Sequence, residues 1–197
     1  AGNYASRILI PAFKEAGAML DTLVTSRGIS GVHHGNKNGF LVTSTEISDL
    51  WNDKINTVAI VTQHNAHASQ VIKALNNGNN VFVEKPLALT IEEIDLIDKT
   101  YQSANHSNNV RLMVGFNRRF APHIEKMKEL LNTHRSPKSI IMTVNAGAIS
   151  SDHWVQDSLI GGGRIVGEGC HFVDLMRHLV GYSIVDFQTM MIGEAPG

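Results

Sequence analysis

Cysteine is nearly missing: among 197 residues there is one, Cys170. No disulfide can close within the chain, which fits a reducing compartment and a cytoplasmic protein. Neither sign of charge is in excess, since 17 Lys and Arg stand against 18 Asp and Glu for a formal net charge of −1. That balance leaves no electrostatic footprint for nucleic acid or for an acidic membrane surface. No apolar run approaches the ~18 residues of a bilayer-spanning helix, so no membrane partner is expected. Internal repeats, low-complexity tracts, an initiator methionine and a signal peptide are lacking too. The opening "AGNYASR" looks like the middle of something, so the expectation is a homo-oligomer or part of a longer chain. What is present is ordinary: 43% hydrophobic and 18% charged residues, enough for one good core and part of a second.

Strand and helix signals alternate over the first 117 residues or so. "SRILIPAFKEAGA" (Ser6 to Ala18) has Ile8, Leu9 and Phe13 near helical spacing. Pro11 is tolerated there in a first turn, and Gly17 can close the helix. "MLDTLVT" then reads as a strand ending at Ser26-Arg27-Gly28, and "TEISDLWND" as a short helix. "NTVAIVTQ" and "NNVFVEK" are nearly continuous apolar runs, the mark of strands covered on both faces. Between them "NAHASQVIKALNNG" is an amphipathic helix stopped by Asn and Gly. "TIEEIDLIDKTYQSAN" is a helix with a threonine cap and early acids, "VRLMVGFN" a further strand, and Arg118 to about Leu131 a basic helix. His33-His34 is expected in an exposed turn.

This alternation predicts an α/β fold with a Rossmann-type doubly wound parallel sheet. After "NTHRSPKS" the texture changes: "IIMTVNAG" and "IVDFQTMMIG" look like strands of a second, largely antiparallel sheet in an α+β domain. The expected boundaries are 1–118 for the nucleotide-binding domain and 119–197 for the beginning of a substrate domain.

Three stretches could carry chemistry. "AGNYA" would complete G-x-G-x-x-A if a glycine preceded Ala1, and such glycines let a backbone approach a pyrophosphate at a helix N-terminus. A plain turn before a helix explains the same residues equally well. The next strand ends in Ser26 and Arg27 where a ribose-binding carboxylate is usual. A hydroxyl and a guanidinium suit a 2′-phosphate, which a carboxylate would repel. Glu84-Lys85-Pro86 ends another strand, at the sheet edge where such folds bind ligands. A solvated strand-end lysine is the alternative there.

"GNNVFVEKPLALT", with "INTVAIVTQHNAHASQVIKALNNGNNVFVEKP", "VGFNRRFAP" and "GGGRIVGEGCHFVDLMRHL" in the same order, resembles the Gfo/Idh/MocA family of nicotinamide-dependent oxidoreductases along essentially the whole chain. The resemblance implies a sheet of order 3-2-1-4-5-6 whose first strand would precede Ala1, and an isolated chain that is not by itself an active enzyme. It implies that Lys85 lies beside the nicotinamide and the reacting carbon, where a desolvated ammonium can hydrogen-bond the substrate oxygen and shuttle its proton. It places Glu84 on the cofactor side and a cis peptide bond before Pro86. Gly2, Asn3, Tyr4, Ser26, Arg27, Thr62, His67, Lys85 and Asn117 join Glu84 around NADP or NAD. Arg118, Trp154, Asp157, Glu168 and Asp174 face the substrate. His171 falls at the family's histidine, a second catalytic group relaying to Lys85.

One departure stands out: the family reads G-G-G-x-x-x-D-x-G-x-H-x-x-D, and its first aspartate is Gly167 here. Glu168 takes over part of that role, or the site is non-catalytic. His171, Asp174 and His178 share a helical side, but a capped core helix accounts for that spacing better than a metal does. The H-x-x-H of "TQHNAHA" has no further Cys or His beside it, and no metal is expected. The function expected is hydride transfer between NADP or NAD and a hydroxyl carbon of a small sugar-like molecule or cyclitol. A non-catalytic ligand sensor and an NAD-using glycosidase are the alternatives.

Overall fold

The computed structural model describes residues 2–134 and 136–190. Five strands form: β1 (Thr22–Val24), β2 (Val42–Ser44), β3 (Thr57–Ile60), β4 (Asn80–Val83) and β5 (Leu112–Val114). They fall into two sheets, β1-β2 and β3-β4-β5. The first pair is parallel, with Thr22 opposite Val42 and Val24 opposite Ser44. In the second sheet α3 (His67–Asn76) links β3 to β4, and α4 (Ile91–Asn108) links β4 to β5. Neighbouring strands joined by a crossing helix run parallel. The pairings β1-β2 and β3-β4-β5 match strands two with three and four to six of the expected order.

Local signals account for most elements. Pro11 does sit in the first turn of α1 (Ile10–Glu15), behind a π-helical stretch Ala5–Leu9, and Gly17 follows at φ 87°. α4 opens with a capping box: Glu93 N–H donates to Thr90 Oγ1 at 3.2 Å, and Glu93 Oε2 accepts from Leu89 and Thr90 N–H. α3 stops before Gly78 at φ 75°.

α2 (Gly28–Asn38) contradicts the expected turn at His33-His34: both histidines lie in this helix. Its glycines hid it. A Cβ at Gly31 would stand 2.6 Å from Thr25 Oγ1, and one at Gly35 2.1 Å from Thr43 Cγ2. The helix is seated on β1 and β2 by small residues, so it shows no apolar stripe. "TEISDLWND" narrows to a 3₁₀ turn, Ile47–Leu50.

The antiparallel sheet expected beyond residue 118 is missing among the described residues. Positions 140–147 and 184–190 have no regular structure, with Ile141 93% and Val185 97% exposed. Strands need partners on at least one edge, and these two segments have none among the described residues. Residues 191–193 of the second segment lie outside the described residues. The helices of this part do form: α5 (Pro122–Asn132) and α6 (Cys170–Val180), the latter closed by Gly181 at φ 84°.

By compactness the chain forms two units. One comprises Ala1–Val61, Ser69–Phe82 and Ile97–Met113, the other Thr62–Ala68, Val83–Leu96 and Val114–Gly197. The first has a core of Val58, Ile60, Val71, Leu75, Val81, Ile97 and Val110, all at most 7% exposed. In the same unit Phe13 meets Phe82 edge to face at 5.3 Å. In the second unit Leu175 and Leu179 of α6 are buried. Among the described residues no helix is long and apolar enough to cross a membrane.

Candidate functional site

β4 ends at Val83, and the next three residues carry the site's first groups. The Lys85–Pro86 peptide bond is cis, as the resemblance implies. Lys85 is half-buried, and its Nζ donates to the Gly167 carbonyl at 2.7 Å. Glu84 is buried, and no donor among the described residues reaches its Oε1. Burial pushes its carboxyl above the usual range, against smaller opposing effects of the Lys85 backbone N–H and charge. The carboxylate lies over Gly115, where a Cβ would stand 2.8 Å from Oε1. A side chain there would have to displace the Glu84 carboxylate.

The chain after β3 supplies two buried histidines. His67 is fully buried, with Nδ1 2.6 Å from the Pro86 carbonyl and Nε2 3.2 Å from that of Thr62. It thus ties its own loop to the one carrying Lys85. His64 is also buried; its Nδ1 donates to the Gly161 carbonyl at 2.8 Å, and its ring meets Trp154 edge-on at 4.7 Å. With the proton on Nδ1, neutral His64 keeps a lone pair on Nε2. Burial lowers the pKa of both rings. Sequence reasoning misses His64; its only trace there is half of the H-x-x-H spacing.

The glycine-rich turn leads into a π-helical stretch, Ile165–Gly169, and then α6. A Cβ at Gly161 would stand 2.3 Å from Val155 Cα, and Gly162 has φ 76°, so both must be glycine. Gly167 is crowded as well: its Cβ would meet His64 Cε1 at 3.1 Å and Val155 Cγ1 at 3.3 Å. His171 lies in the first turn of α6 and is 9% exposed. Its Nδ1 has no partner among the described residues. Burial first, then the charges of Lys85 and Arg118, pushes His171 down to about 4, against weaker upward pulls from Asp174 and Glu168.

The carboxylates expected to face a substrate are engaged by the protein itself. Asp174 accepts from Arg119, through Nε at 2.6 Å and through NH2. Glu168 is paired with Arg164, through NH2 at 2.7 Å. Asp157 is exposed, and its Oδ1 accepts from Leu159 and Ile160 N–H, holding the turn after Trp154–Gln156. Arg118 is exposed, its guanidinium 4.6 Å above the Phe172 ring, one residue beyond His171. Asn117 opens the same 3₁₀ turn, Asn117–Phe120, with its N–H on Gly115 O at 2.9 Å. Arg119 shows in the sequence only as half of a charged pair; its partner lies 55 positions away.

The remaining cofactor candidates belong to the first unit. Gly2, Asn3 and Tyr4 are exposed, and the helical residues begin at Asn3. Ser26 and Arg27 are exposed at the end of β1, and Arg27 is the N-cap of α2, whose first turn has no side-chain cap. Beside it lies a shallow hollow of about 290 Å³ lined by Gly28, Gly31, Val32, Thr43, Ser44 and Thr45.

Comparison with known proteins gives the same direction. Residues 24–116 match the model of an oxidoreductase family with an NAD-binding Rossmann fold. An oxidoreductase of Formosa agariphila is 29% identical over 191 residues, 91% of this chain and 58% of that protein. The scyllo-inositol 2-dehydrogenase (NAD(+)) of Bacillus subtilis is 33% identical over 133 residues, 66% of this chain and 36% of that protein. A dehydrogenase of Thermus thermophilus, solved with NAD and UDP-GlcNAcA, superposes with a TM-score of 0.76 at 25% identity, over 91% of this chain and 60% of that one. The chain thus spans about a third to three fifths of the length of these relatives.

Proposed function

We propose that this chain belongs to the Gfo/Idh/MocA oxidoreductases, whose family model its residues 24–116 match, and that the whole protein moves a hydride between NADP(H), or NAD(H), and a hydroxyl carbon of a sugar, sugar derivative or cyclitol. The observation that carries the reading is the pairing of Lys85 Nζ with Gly167 O, a few positions before His171, whose buried Nδ1 is unpartnered among the described residues. Bound nicotinamide supplies the hydride acceptor or donor. The chain's own groups handle the proton. Lys85 turns its ammonium from the Gly167 carbonyl to the substrate oxygen and hydrogen-bonds it. His171, with its pKa near 4, is neutral at neutral pH and is a base able to receive the hydroxyl proton.

The residues fit the cofactor. The uncapped N-terminus of α2 presents N–H groups beside Arg27, which suits a 2′-phosphate. Gly2 precedes helical residues with open space around it, and Glu84 Oε1 awaits a donor. Gly2, Asn3, Tyr4, Ser26, Arg27, Thr62, His67, Glu84 and Asn117 form the proposed cofactor set, and Arg118 and Trp154 the proposed substrate set, with residues 1–118 and 119–197 as the two domains. Asp174, Asp157 and Glu168 support that set through the bonds described above. A second reading, a ligand sensor without turnover, is favoured by Gly167, which removes the family's aspartate. Full-length protein given a polyol and NADP+ or NAD+ decides: reduced cofactor released over many turnovers supports the dehydrogenase, and binding without turnover supports the sensor.

A further inference from the structure

Charges of both signs bear on His171. Asp174 is taken by Arg119 and Glu168 by Arg164. Glu84 is buried, and burial raises its pKa against the opposing charge of Lys85. Asp157 spends its Oδ1 on backbone N–H groups. Two cations that bear on His171 lie outside these pairs. Lys85 has a carbonyl for a partner, and Arg118 an aromatic face; among the described residues neither has a carboxylate within ion-pair distance. Position 167, where the family resemblance places an aspartate, is a glycine whose added Cβ would stand 3.1 Å from His64 Cε1 and 3.3 Å from Val155 Cγ1. After burial, Lys85 and Arg118 push the pKa of His171 down, against Asp174 and Glu168.

Resting on the dehydrogenase reading above, we propose that the substrate is a sugar or cyclitol acid, whose carboxylate is received by Arg118 while Lys85 attends the reacting hydroxyl. The geometry suits that division. The Phe172 ring covers one face of the Arg118 guanidinium, leaving the N–H edge for an oxyanion, and a planar carboxylate accepts two parallel N–H bonds from such an edge. The Arg119–Asp174 pair fixes the 3₁₀ turn that carries Arg118 against α6, which carries His171 and Phe172. A neutral sugar would make no use of the exposed N–H edge of Arg118, whereas a carboxylate gains a charge-assisted contact there.

The test uses full-length protein with NADP+ or NAD+ and matched pairs: glucuronate against glucose, galacturonate against galactose, and glucose 6-phosphate beside them. Charge-assisted bidentate contacts predict a kcat/KM ratio of acid to neutral sugar of about 10- to 100-fold, shrinking as salt rises. Arg118→Gln should pull that ratio down about tenfold or more through KM, and Arg118→Lys, which keeps charge without the planar edge, should recover part of it. Thermal unfolding of each variant accompanies the kinetics, and ratios are compared only between folded proteins. A ratio near one in the parent, a preference for the phosphate over the uronates, or an unchanged ratio in folded Arg118→Gln overturns the proposal. Should no sugar be turned over while calorimetry shows glucuronate binding that depends on Arg118, the hydride-transfer reading fails and the carboxylate site stands.

Discussion

His171 should make the protein lose stability as the medium is acidified, and the size of the loss follows from its surroundings. The ring is 9% exposed and faces Lys85 and Arg118, with Asp174 and Glu168 pulling the other way and the Phe116 ring 6.2 Å from its own. Its folded pKa of about 4 lies below the ordinary histidine value of 6.5, so the fold holds the neutral form. Above about pH 6.5 the ring is neutral folded or unfolded, and its stabilising contribution is complete. As pH falls, the unfolded chain takes up a proton that the folded protein refuses until about pH 4. Between about pH 7.5 and pH 5 this single group removes about 2 kcal/mol of unfolding free energy. Urea unfolding of full-length parent and His171→Gln at both pH values isolates it, because the other histidines contribute equally to both proteins. The variant's fall in stability should be smaller than the parent's by that amount. Equal falls would refute the placement of His171 in a buried, positively charged surrounding.

Other outcomes follow from the same geometry. Lys85→Met should lower turnover by ~10²-fold or more while cofactor affinity hardly changes; near-parental activity alongside a dead His171→Ala would mean that the two roles are exchanged. Arg27→Ala should narrow the preference for NADPH over NADH, and the preference should weaken with salt; identical affinity ratios in parent and variant would remove Arg27 from the cofactor set. Gly167→Ala should destabilise by about 1–2 kcal/mol, since His64 is pinned by Gly161 and cannot yield. Gly169→Ala, with only ordinary contacts at 3.7–3.8 Å, should stabilise by about 0.5–1 kcal/mol through helix propensity. In a His64→Ala background the Gly167→Ala penalty should shrink, as denaturation of the four proteins would show; an undiminished penalty would rule out the crowding.

What can be read from the residues is whatever the local chain decides. The apolar runs at β3 and β4, the capping box at Thr90 and Glu93, and the glycine stops at Gly17 and Gly78 all act within a few positions of themselves. α2 escapes such a reading because its glycines answer to Thr25 and Thr43, contacts that no spacing within the helix announces. Its partner β2 is three residues long, too short for an alternation to show. The segments at 140–147 and 184–190 have strand-like composition, but pairing is a property of two segments, and composition cannot supply the second. At the site, the position of Lys85 is legible because strand ends deliver groups to ligands. The Arg119–Asp174 pair, the Glu168–Arg164 pair and the seat of His64 on Gly161 join residues 4 to 97 positions apart, and only folded geometry shows which charges they cancel and which they leave.

The buried carboxyl of Glu84 also makes ligand binding an event in proton chemistry. Its burial favours the protonated form, and its Oε1 lacks a donor among the described residues. Any donor that docks on that oxygen favours the ionised form and pulls the pKa back down. Association then expels a proton in proportion to the difference, and affinity climbs with pH across the same interval. Heats of binding measured in buffers of unlike ionisation enthalpy would differ by the protons released.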